Sequence, residues 1–249
     1  MDLLRRSDGR KPVILFKAGK TKAGSRAVIS HTASMSGEEA LWEAMCHQFG
    51  VVRVHSMQEM ADVLLAFQFL RPSTGQRVLV IGGGGGGSVA AADACELEGF
   101  EVPPLPSEMR GKIRSFAPEV WSLVSNPMDA SVMGSIETMV GCFQMGGQWD
   151  GVDVLIANSS AIWLLDDPKG AERHELNLQF LINLAREVQK PMVIFINSGD
   201  PTTPWRVEAV HKAQEQCRDA GIPVYPNIRR ATRALAHFTR YHRRRANLK

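Results

Sequence analysis

The chain has 249 residues, 44% of them hydrophobic and 22% charged, with a formal net charge of +3. That is the balance of an ordinary globular protein, long enough for one large or two small domains. The longest apolar runs, such as PMVIFI (191–196), are too short to cross a bilayer, and MDLLRRSDGRK at the start has no apolar secretory stretch, so a cytoplasmic protein without membrane contact is expected.

In chain order, PVILF (12–16) reads as a strand. Ser36 can cap a helix that opens with Glu38 and Glu39, acids suited to a first turn. VVRV (51–54) is a short strand, and SMQE (56–59) has the spacing of a capping box that starts a helix to about Leu70. RPSTGQR (71–77), with Pro72 and Gly75, is the best linker. Beyond it, strand RVLVI (77–81) leads to a helix from Ser88 to about Glu98. A short strand FEV (100–102) then runs through three prolines to a helix near 107–116. NPMD (126–129) is a turn, followed by a helix near 135–145, strand VDVLIA (152–157), a helix over 169–188 and strand PMVIFI. Thr203 and Pro204 suit the N-cap and first position of a helix to about Ala220. Strand IPVY (222–225) and a helix from about Arg229 close the sequence.

Strands separated by helices imply βαβ units, a parallel sheet and helices on both faces. The expected fold class is therefore α/β. Residues 73–249 supply five strands for a flavodoxin-like, doubly wound domain, expected in the order 2-1-3-4-5. Residues 1–72 supply two strands and two helices, too little for an independent core; this half-domain is expected to pack on something else.

The four cysteines, Cys46, Cys95, Cys142 and Cys217, are scattered without paired spacing. That argues against a disulfide framework or a zinc site and for reduced thiols. The arginine-rich RRATRALAHFTRYHRRRANLK at the C-terminus reads as a solvated helix end whose charge suits the helix dipole. Apart from Phe238 and Tyr241, no stacking aromatics interleave its arginines as single-strand binders require, so no nucleic acid is expected as a partner.

Two stretches carry chemistry. Gly82–Gly87 join a buried strand to a helix, and glycine allows positive φ and close backbone approach. Unpaired N–H groups and partial positive charge at a helix N-terminus make a phosphate site. Candidate contacts are Gly84, Gly85, Gly86, Gly87 and Ser88, with Asn158, Ser159 and Ser160 from the loop after the third strand, which flanks the point where strand order reverses. Three readings stand: a dinucleotide site, a tight packing turn, and a site for a smaller phosphate. The formal GxGxxG match is weak, because any six-glycine run satisfies it and the next strand, FEVPPLP, lacks the terminal acid that holds a ribose. No P-loop pattern occurs.

The second stretch is ISHTASMSG (29–37). His31 has no metal-ligand spacing around it, so no metal is expected, and no GxSxG elbow suggests a serine hydrolase. It is either an incidental loop histidine or a nucleophile. Small neighbours (Ser30, Thr32, Ala33, Ser34) suit a loop that moves through a narrow space, and imidazole attacks without strong activation near neutral pH.

Here the residues carry a family resemblance. KPVILFKAGKTKAGSRAVISHTASMSG, followed by HQFGVVRVHSMQEM, resembles the KPVVVLKAGRTxAGxxAAxSHTGxLAG segment of the NDP-forming acyl-CoA synthetases, relatives of succinyl-CoA synthetase. The glycine run, SNPMD and the closing basic helix are similar to that family's next domain, so the likeness covers residues 11–245. It implies that residues 1–72 are the C-terminal half of a phosphohistidine domain and residues 73–249 a flavodoxin-like ligase domain. It implies a relay through His31: an acyl phosphate phosphorylates the histidine, which passes the group to ADP, the reverse activating a carboxylic acid with ATP. The phosphate-binding candidates would receive the phosphohistidine.

No tightly bound cofactor is expected; CoA, ATP or ADP and Mg would be substrates of the complete enzyme. The implied partners are a CoA-binding Rossmann domain and an ATP-grasp domain or subunit, neither found in these residues, together with phosphate or acyl phosphate and an oligomeric assembly. SHTA here replaces the family's SHTG, which leaves a second expectation, an inactive docking or regulatory module of the same fold.

Overall fold

The computed structural model describes Leu4 and residues 11–32, 38–119, 124–133, 135–159, 170–197 and 204–247. Two parallel sheets organise them. The first pairs β1 (Ile14–Phe16) with β2 (Val52–Val54), in register from Ile14 opposite Val52 to Phe16 opposite Val54. Between them run α1 (Lys22–Thr32) and α2 (Glu39–Phe49). Thr21 caps α1, its Oγ1 accepting from the Gly24 N–H at 3.1 Å. Glu38, with no side-chain bond, stands at the N-cap of α2; Ser36, the expected cap, lies outside the described residues. Gly50 ends α2 at φ +65°, and a Cβ there would lie 3.1 Å from Arg244 Nε.

Helix α3 (Met57–Phe69) follows with the cap its sequence announces: Ser56 Oγ accepts from the Glu59 N–H at 3.0 Å. The reciprocal half is displaced by one residue, since the Glu59 carboxylate takes the N–H of His55 at 2.6 Å.

The second sheet has the order β3 (Val78–Gly82), β4 (Val154–Asn158), β5 (Met192–Phe195), β6 (Val224–Tyr225), all parallel. Its helices are α4 (Gly85–Leu97), α5 (Ser107–Phe116), α6 (Ile136–Gln148), α7 (Gly170–Glu187), α8 (Pro204–Asp219) and α9 (Ile228–Ala246). Strand side chains alternate between two cores. Leu79, Ile81, Leu155, Ala157 and Ile194 pack with Ile113, Phe143, Leu178 and Cys217 of α5 to α8. Val78, Val80, Val154, Ile156 and Val193 pack with Ala66 of α3, Ala91 and Cys95 of α4, and Leu235 and Phe238 of α9. This is the doubly wound arrangement, α/β with parallel sheets.

The expected strand FEV is not a strand. The outer edge of β3 is completed in three pieces: Glu101 bridges Arg77, Met128 bridges Ile81, and between them the Asn126 side chain accepts from the Val80 N–H at 3.1 Å and donates to the Val78 carbonyl at 2.8 Å. Pro103, Pro104 and Pro106 explain why, because proline offers no ladder donor.

The first sheet packs on α3 and on the far end of α9, through Val52, Val54, Val63 and Tyr241. Phe67 of α3 meets Phe238 and Tyr241 edge-on, with ring centroids 5.2 and 5.1 Å apart. Arg230 grips the buried Asp62 with two bonds of 2.7 and 2.6 Å. Residues before the linker thus share a core with the last helix. Among the described residues no helix is long and apolar enough to cross a membrane.

Candidate functional site

The glycine run straddles the end of β3 and the start of α4. Gly82 and Gly83 have φ of +86° and +82°. A Cβ on Gly82 would lie 2.5 Å from the Asn158 carbonyl oxygen, and one on Gly83 would lie 2.5 Å from Asn158 Nδ2. Both positions therefore need glycine, for conformation and for space. Gly84 is the N-cap, extended and without a side-chain acceptor. Gly85, Gly86 and Gly87 form the first helical turn, so the helix begins three residues earlier than Ser88. The first intrahelical bond runs from the Ser88 N–H to the Gly84 carbonyl at 2.9 Å. The N–H groups of that first turn lack intrahelical acceptors and face the positive end of the dipole. A Cβ on Gly86 would meet nothing within 4 Å, so this end of the helix is open.

Of the other phosphate candidates, Asn158 is buried against the turn, its amide also near Gly87. Two serines are withdrawn from solvent. Ser88 Oγ is buried with no hydrogen-bond partner among the described residues. Ser159 is buried too, its N–H donated to the Phe195 carbonyl, its carbonyl 3.0 Å from His174 Nε2, and its hydroxyl 3.4 Å from His174 and from Asn177. Ser160 lies outside the described residues. Sequence reasoning missed Asp129. Its Oδ1 accepts from the N–H and hydroxyl of Ser131 at 2.8 and 2.6 Å, while Oδ2 would be 3.4 Å from a Cβ on Gly85. The NPMD turn was the available signal, since Met128 pairing with Ile81 carries the next residue to the glycine turn.

His31 was expected in a loop; it lies instead in the last turn of α1, and it is exposed. The reason is local: KAGSRAVISHT has a threonine cap before it and no proline or glycine after Gly24, so the helix continues through the histidine. Among the described residues no apolar packing encloses the imidazole. Ala33 and Ser34 lie outside the described residues. The structure thus brings Gly83, Gly87, Asn158 and Asp129 together at the C-terminal edge of the four-stranded sheet, and places His31 on the two-stranded unit. Among the described residues there is no group of three or more His, Cys, Asp or Glu arranged to hold a metal ion.

Comparison with known proteins agrees with this architecture. A family described as succinyl-CoA ligase like flavodoxin domain matches residues 1–67. The ADP-forming acetate–CoA ligase II of Archaeoglobus fulgidus is 30% identical over 248 residues, covering 96% of this chain and 34% of that protein. The alpha subunit of the ADP-forming acetate–CoA ligase II of Pyrococcus furiosus is 30% identical over 227 residues, covering 90% of this chain and 46% of that one. A solved structure of Candidatus Korarchaeum cryptofilum dinucleotide-forming acetyl-coenzyme A synthetase 1, in complex with phosphate and ADP, matches with a TM-score of 0.77. Its identity is 26%, over 98% of this chain and 50% of that chain. The chain spans a third to a half of the length of these relatives. In sequence and in fold it is homologous to the ADP-forming acyl-CoA synthetases.

Proposed function

We propose that this chain contributes the phosphohistidine segment and the phosphate-receiving sheet domain of an ADP-forming acid–CoA ligase. In this reading acyl-CoA and phosphate give an acyl phosphate and CoA. A nitrogen of His31 attacks the phosphorus, the P–O bond to the acyl group breaks, and the carboxylate leaves. The N–P bond then breaks as a terminal oxygen of ADP takes the group, giving ATP and free histidine. The first turn of α4 supplies amide dipoles for the phosphoryl oxygens, stabilisation that needs no reorganisation. The CoA-binding and ATP-grasp functions belong to partner domains or subunits, and Mg enters with the nucleotide.

The observation that supports this reading is an exposed His31 within the SHT segment, on a chain whose likeness to an ADP-forming acetate–CoA ligase runs through 96% of its length. Incubation with partner subunits and γ-labelled ATP should give acid-labile, base-stable label that His31→Ala abolishes. A chain that takes no label with any partner combination, while still binding those partners, is a docking module and overturns the relay.

A further inference from the structure

The basic end of the chain is not simply a solvated tail. Arg233, His237, Arg240 and Arg244 follow one another at spacings of four, three and four residues, which is one face of a helix. That face of α9 lines a cavity of about 410 Å³, closed on the other side by the end of α2 and by β2, including Arg53. The cavity lies on the seam between the first sheet and the second, and its size suits a small-molecule site.

The carboxylates around it are already engaged. Glu43, with Glu39, holds the buried Arg53, whose Nε has no partner among the described residues. Glu59 lies 3.1 Å from His237 Nε2 and 3.3 Å from Arg233 Nε. Glu98 is shared loosely, 3.8 Å from both Arg233 and Arg240. Arg244 pairs with no described carboxylate; it donates to the carbonyls of His47 and Gln48 at the end of α2. Three guanidinium groups of α9 therefore face two carboxylates. Burial pushes the His237 imidazole down, the hydrogen bond and charge of Glu59 together with the charge of Glu98 pull it up, and Arg240 pushes it down.

We propose that this seam cavity binds a small compound carrying a diphosphate, held chiefly by Arg240 and Arg244. Guanidinium forks match pairs of phosphate oxygens. The two arginines are one turn apart, about 6 Å along the helix axis, the reach of two linked phosphates rather than one. Arg244 stays anchored to the end of α2, and Arg240 Nε donates to the Ala236 carbonyl of its own helix at 3.2 Å, but the terminal nitrogen of Arg240 that lies 3.8 Å from Glu98 gives up little on turning to a ligand. The site shares no residue with the glycine turn, and the proposal does not rest on the phosphoryl relay.

Titration calorimetry of the full chain with inorganic pyrophosphate, at physiological salt, tests it. Arg240→Gln should weaken binding at least tenfold. Glu98→Gln, which removes the competing carboxylate, should tighten it severalfold, an effect that damage to the fold does not produce. Gly86→Asp, which places a negative charge at the glycine turn, should leave affinity unchanged. No heat at millimolar pyrophosphate overturns the proposal. So does binding that survives Arg240→Gln and vanishes in Gly86→Asp, which would assign pyrophosphate to the glycine turn.

Discussion

His31 stands where α1 presents its carbonyl end, which carries partial negative charge. On the proposed relay, a phosphoryl group attached there meets that charge and should loosen the last turn. Hydrogen exchange at Val28–Thr32 is expected to be faster in the labelled protein than in the unlabelled one. At the receiving turn, Gly83→Ala places a side chain at φ +82° and drives it into Asn158, and should lower stability by about 1–3 kcal/mol in urea denaturation. The need for glycine at a strand-to-helix turn is legible in six consecutive glycines. The burial of Ser88 and Ser159 is not, because a serine near a helix start reads the same whether its hydroxyl is open or covered. Burial dominates the thiols: Cys95, where Glu96 adds to the rise, and Cys217, where Arg218 opposes it, are pushed up to about 12 and Cys142 to about 11. With all four cysteines buried and free, alkylation should be slow in the native protein and rapid in urea.

Among the elements, the edge of β3 departs furthest from its sequence. Alternating strands and helices gave the doubly wound sheet readily, since hydrophobic periodicity and turn residues act locally. What they do not encode is that an asparagine 46 residues away stands in for a strand. Asn126 also donates to the Pro103 carbonyl at 2.9 Å, so one amide satisfies three backbone groups. Asn126→Leu should cost about 2–4 kcal/mol by urea denaturation, because those groups stay buried without partners. The α3 cap, legible as SMQE, is the ordinary case, with Ser56→Ala expected to cost about 1 kcal/mol.

Across the whole molecule, the interlock of α3 and α9 ties the two sheets together. Arg230→Ala leaves Asp62 buried and uncompensated and should cost about 3 kcal/mol. Acid should act on the same seam. Burial raises the Glu59 carboxyl, but the His55 N–H and His237 outweigh it and hold the group below 4.5. Burial holds His237 below 6.5. Both folded-state values are depressed, so each contribution is present above the unfolded value and is lost as pH falls. Melting temperature should therefore decline from about pH 6.5 downward, with the Glu59 share lost below pH 4.5; His237→Gln should flatten the upper part of that decline. None of this was legible beforehand, because partners such as Glu59 and His237 are 178 residues apart. Since α9 packs against the first sheet and the second at once, the two sheets make one body with no hinge at residues 71–77. On the proposed relay, a histidine commuting between reaction centres is then not carried by swinging one unit against the other, and α1 itself serves as the crane arm.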